Sequence, residues 1–205
     1  MNFLEIVKKA NIFSGLQGEI DSVLSVRGLQ KTLVEFVKTA YIDIQNVSES
    51  WSWRYKSVII PWNSSSTLHI DSTVEKWTKL FYDGSNLKFI EYEGWIMDPP
   101  TTASVPQSFT IVPESNGIII NPVGSAMLVN ARAYRAIDEL STNSQIPIIP
   151  TGYQMIIAYK AAIDMSDLLG NYDIFQLNTG KYDVLLGQLK RRSLLPLKIK
   201  QRPFV

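Results

Sequence analysis

A chain of 205 residues with 45% hydrophobic and 19% charged side chains can bury a core and is far from the composition of disordered proteins. No cysteine is present, which excludes disulfides, thiolate zinc sites and a cysteine nucleophile. The net charge of +1 argues against a dedicated nucleic-acid surface, but it is unevenly spread: residues 190–205 carry six cations and no acid, leaving 14 cations against 19 acids, or −5, in residues 1–189.

The first expected element is a short helix over residues 2–12. Asn2 and Glu5 have capping-box spacing, and Phe3, Ile6, Val7 and Ala10 recur at helical period. Lys8, Lys9 and Glu5 interrupt the apolar positions that a signal peptide would keep continuous, and no apolar run is long enough to span a bilayer, so a cytoplasmic origin and no membrane partner are expected. After the loop "SGLQG", a long amphipathic pattern from Val26 to Val47 reads as a second helix.

From Trp51 the period changes. "YKSVIIPW", "STLHI", "NLKFIEYEGWIM", "QSFTIV", "GIIIN" and "AMLVNARAYRA" read as strands, and "DGSN" and "PESNG" as hairpin turns. Helical period returns at Tyr153 and runs to Gly170, and a last helix is expected over residues 173–191, with Ile174, Leu177, Tyr182, Leu185, Leu186 and Leu189 on its buried stripe. Pro196 and Pro203 forbid further helix, which makes residues 193–205 an extended arm. The expected fold class is α+β: a helical bundle from residues 1–50 and 150–192, an inserted antiparallel β region over 51–149, and the C-terminal arm.

Signatures of dinucleotide, P-loop and α/β-hydrolase sites are absent. His69, the one histidine, lies in an alternating stretch without a nucleophile motif and reads as structural. Glu91 and Glu93 fall on one face of an expected strand, where a carboxylate pair could hydrolyse a glycoside or simply be solvated. Asp164 and Asp167 lie one helical turn apart, but the second ligand set of a di-metal bundle is missing. Neither a catalytic residue nor a metal or cofactor is expected.

Two segments could carry interactions. In "WSWRYKSV", Trp51, Trp53 and Tyr55 would share a strand face where the long helix hands over to the β region; they could stack bases with Arg54 and Lys56 on phosphates, or fasten the two parts of the fold. The arm combines Arg191, Arg192, Lys198, Lys200 and Arg202 with Leu194, Leu195, Leu197, Ile199 and Phe204. A solvating tail has no use for so many apolar groups, and the alternation of Leu197 and Ile199 with Lys198 and Lys200 suits strand addition to a partner.

The order and spacing of these motifs resemble the head-to-tail adaptor, or connector, proteins of tailed bacteriophages. The resemblance rests on a helical N-terminus with a glycine loop, a long helix ending in "SWSWRYKSV", and the β segment "PQSFTIVPESNGIIINPVGS" followed by "VNARAYRAI". Pro150 and Tyr153 then lead into "MIIAYKAAIDMSDLLG", and Tyr182, Leu185 and Leu189 stripe the last helix. The resemblance implies a non-enzymatic virion protein, commonly a ring of twelve copies under the portal protein, made in the host cytoplasm and enclosing the channel through which genomic DNA passes without sequence-specific binding. It implies further that the arm docks on the portal and that the lower surface meets a tail, nozzle or stopper protein or fibres. The β insertion is larger than in the all-helical adaptors. The competing readings are a DNA-binding accessory module using the arm and tryptophans, and a tail-associated glycan-binding or hydrolysing protein using Glu91 and Glu93.

Overall fold

The computed structural model describes residues 1–62, 68–101, 103–121 and 126–194. The chain is α+β and divides into two compact units, one of residues 1–53 and 137–205 and one of residues 54–136.

The helical unit contains α1 (Phe3–Phe13), α2 (Gly28–Asn46), α4 (Met155–Leu168) and α5 (Tyr172–Ser193). The capping box forms as its spacing predicts: the Glu5 backbone N–H donates to Asn2 Oδ1 at 2.9 Å and the Asn2 N–H to Glu5 Oε2 at 3.0 Å. Phe3, Ile6, Val7 and Ala10 of α1 meet Leu33, Val37, Ala40 and Ile44 of α2 and Ile156, Ile157, Ala161 and Met165 of α4 in one core. Gly170, at φ 66°, ends α4 in the left-handed region that glycine enters without cost, and α5 starts two residues later.

Residues 137–149, assigned to the β region on sequence, belong to the helical unit. The reason is visible in their bonds. The N–H groups of Phe3 and Leu4, unpaired at a helix start, donate to the carbonyls of Gln145 and Asn143, while Leu140 and Ile149 are buried in the helical core. Gln154, itself buried, donates to the carbonyls of Pro147 and Ile149.

The second unit holds two sheets around a single core. Strands β1 (Tyr55–Trp62), β7 (Met127–Arg135), β2 (Val74–Tyr82) and β3 (Ser85–Asn86) pair antiparallel in that order. The smaller sheet runs β4 (Lys88–Phe89), β5 (Ser108–Val112), β6 (Gly117–Ile120), with a two-residue parallel pairing between β4 and β5 and an antiparallel one between β5 and β6. Ile60, Trp62, Val74, Trp77, Leu80 and Val129 of the first sheet close on Phe109, Ile118 and Ile120 of the second. Both expected turns form, with positive φ at Asp83 and Gly84 and at Asn116.

Two parts of the β reading change. Strand β2 has no counterpart among the expected strands, because register shifts on either side of Lys76–Trp77 leave Glu75 and Thr78 out of the paired register and space its buried residues, Val74, Trp77 and Leu80, three apart instead of two. The end of "NLKFIEYEGWIM" is a short helix, α3 (Tyr92–Met97), which buries Trp95 and leaves Ile96 and Met97 exposed. The stretch "STLHI" is not a strand over its described residues, 68–70; His69 makes one isolated bridge to Ile118.

Candidate functional site

The tryptophan stretch does not form one aromatic face. Trp51 is fully buried in the helical core, its indole N–H donating to the Ile44 carbonyl at 3.0 Å, and its ring stacks on Trp53 with centroids 5.4 Å apart. Ser52–Arg54 then forms one turn of 3-10 helix, which rotates Tyr55 out of line with both indoles. Tyr55 begins β1 and meets Tyr134 edge-on at 5.5 Å. The boundary between the units falls between Trp53 and Arg54, so the indoles belong to one unit and Tyr55 to the other.

The cations of this stretch are committed inside the β unit. Arg54 is only 1% exposed; its guanidinium donates to the Arg135 carbonyl, at 2.8 Å from Nη2, and pairs with Glu75. The bulge that hid β2 from periodicity is what aims Glu75: the extra residue turns off the ladder and supplies the carboxylate that a buried guanidinium requires. Lys56 bonds Asp71 at 3.1 Å and the Thr73 hydroxyl. Burial acts to raise the Asp71 pKa, but bonds from the Thr73 hydroxyl and N–H and from Lys56 outweigh it and hold the carboxyl below its ordinary range. Neither cation is presented to a polyanion.

The carboxylates show no catalytic arrangement. Glu91 precedes α3 and Glu93 sits in its first turn, both exposed, so the shared strand face expected for them does not exist. Asp164 pairs with Lys160 at 2.5 Å on α4. His69 lies edge-on to Trp77 with centroids 6.2 Å apart, and Asp71 bonds Lys56 and Thr73. Among the described residues no group of three or more His, Cys, Asp or Glu could hold a metal ion. No helix among them is long and apolar enough to cross a membrane.

The basic C-terminal segment begins differently from its sequence reading. Arg191 and Arg192, grouped with the docking residues of the arm, lie in the last turn of α5, which runs to Ser193, two residues past its expected end. Cations there offset the partial negative charge of the helix C-terminus. Ser193 is buried and Leu194 makes an antiparallel bridge to Trp51, so the helical unit includes the first two residues assigned to the arm. Leu195, Leu197, Lys198, Ile199, Lys200, Arg202 and Phe204 lie outside the described residues. Beside the helix end, Tyr153, Gln188, Arg191 and Arg192 line a cleft of about 430 Å³. Both guanidinium groups are exposed there, without an ion pair among the described residues.

A surface missed on sequence lies on the outer side of α5. Leu177, expected on the buried stripe, is 58% exposed, and Val184 is 61% exposed. Tyr182, Leu185 and Leu186 pack against the core and Leu189 is buried within it, so α5 has a second apolar line that the helical unit does not cover. The available signal was the pair Gly180 and Gly187, set two turns apart within a helix that gains nothing from glycine. Compared with known proteins, the chain matches no protein-family model and no curated protein.

Proposed function

We propose that this chain is a structural virion protein of the head-to-tail adaptor kind, forming a ring that joins a portal protein to a tail component around the DNA channel. The observation that carries the reading is the way α5 ends in the helical unit. Leu194 is bridged to Trp51 close in sequence to Arg191 and Arg192, which line a cationic cleft, and the sequence that follows it is basic and apolar. A docking segment with a fixed root loses less entropy on binding than one attached to a frayed helix. Repetition around a ring would multiply the effect by raising the effective concentration of each neighbouring segment.

Lateral contacts in the ring would draw on exposed apolar side chains of the helical unit such as Ile12, Leu24 and Leu29. The exposed positions of Glu91 and Glu93, one before α3 and one in its first turn, offer no support to a hydrolase. The engagement of Arg54 and Lys56 removes the cations that a base-stacking platform needs.

Mixing the purified chain with portal rings tests the proposal. Full-length protein should form particles of ring on ring by electron microscopy, and a chain ending at Leu194, which keeps the whole of α5, should fold and fail to join. Undiminished joining by the shortened chain would sink the docking role. Binding that falls steeply with salt and requires DNA would favour the accessory DNA-binding reading instead.

A further inference from the structure

The outer line of α5 reads the same in both directions. Asp173, Leu177, Gly180, Val184, Gly187 and Arg191 are spaced four, three, four, three and four residues apart. At about 100° per residue they lie within about 40° of one line along the helix, over about 27 Å. All are exposed except the half-buried Gly187, and, apart from the adjacent residues and the helix's own nearby backbone, no atom stands within 4 Å of where a Cβ would sit on either glycine. Beside this line Tyr159, Lys181 and Leu185 complete a shallow depression of about 390 Å³ with Leu177, Gly180 and Val184.

We propose that a second copy of this chain covers this face, α5 against α5, antiparallel, on a two-fold axis at the level of residue 182. In that register Asp173 faces the other copy's Arg191, Leu177 enters the space over Gly187, and Val184 enters the space over Gly180. Each contact occurs twice, as a self-complementary two-fold interface requires. A parallel pair would set Asp173 against Asp173 and Arg191 against Arg191, and would leave glycine over glycine as voids. Glycine weakens a helix interior but lets another backbone approach closely, and two of them on this open line are explained by such an approach. A closed two-fold pair is distinct from the head-to-tail contacts of a cyclic ring, so it describes the free chain and does not depend on the adaptor reading.

The absence of native cysteine makes the register directly testable. Full-length Leu177→Cys and Gly187→Cys variants are oxidised separately and as a mixture. The mixture should give a linked dimer and each variant alone almost none, because residues 177 of the two copies would lie about 15 Å apart along the axis, beyond the roughly 7 Å Cα limit of a disulfide. Sedimentation equilibrium should show a two-chain species for the wild type, weakened at least tenfold by Arg191→Asp and restored by adding Asp173→Arg. Linkage of Leu177→Cys alone, a one-chain mass for the wild type, a ring-sized species lost with Arg191→Asp, or no rescue by the double swap would each overturn the proposal. Circular dichroism of every variant separates loss of pairing from loss of fold.

Discussion

Removing one oxygen from the helical core should cost more than its size suggests. The Tyr41 ring is fully buried; its hydroxyl donates to Asp138 Oδ1 at 2.5 Å and accepts the Ile148 N–H at 3.1 Å. Tyr41→Phe keeps the ring, so no cavity opens, but it strands the Ile148 N–H and ends a bond to a carboxylate. With Asp138 half-buried and able to regain water, the loss should be about 2–3 kcal/mol. Urea unfolding followed by far-UV circular dichroism should show the midpoint falling by about 1 M at unchanged slope. A second signature lies in alkali. Burial, and then the bond and charge of Asp138, push the Tyr41 hydroxyl far above the ordinary 10.0. Above about pH 10 the unfolded chain gives up this proton and the folded one keeps it, so stability present at lower pH is lost as pH rises, by about 1.4 kcal/mol per unit. Tyr41→Phe should lose that part of the slope. A stability change below about 0.5 kcal/mol, or an alkaline slope unaltered by the substitution, would refute the reasoning.

Trp51→Ala should destabilise the helical unit by about 3–5 kcal/mol and Trp51→Phe by about 1–2; both lose the bond to Ile44, so the difference measures the ring volume that phenylalanine keeps. Calorimetry should assign the loss to the helical transition and leave that of the β unit in place. In the β unit, Asn116→Ala should cost about 2 kcal/mol, because alanine neither tolerates φ 51° nor replaces the bonds to the Val74 and Glu75 carbonyls; Asn116→Gly should recover the backbone part alone. Glu91→Gln combined with Glu93→Gln should shift the melting free energy by no more than about 0.5 kcal/mol, both side chains being exposed; loss of a glycan-cleaving activity in that variant would revive the hydrolase reading.

What the sequence determined by itself was local. The Asn2–Glu5 box, the glycine that ends α4, the positive-φ turns at Asp83–Gly84 and Asn116, and the helical runs of α1, α2, α4 and α5 each depend on residues a few positions apart. Spacing along the chain encodes those features directly. Long-range pairing decided the rest. The two irregularities in β2 could be seen only against β7, and they convert strand spacing into something close to helical spacing. Residues 137–149 carry no periodicity of their own, and their place with the helices follows from carbonyls that satisfy the start of α1 and from the Tyr41 hydroxyl. Arg54 looks like a surface cation in sequence and is buried because Glu75 and the Arg135 carbonyl reach it. On α5, composition alone cannot rank two apolar lines. The core of the helical unit accepts the one containing Leu189 and leaves Leu177 and Val184 to solvent, since a helix packed on one side buries a single stripe.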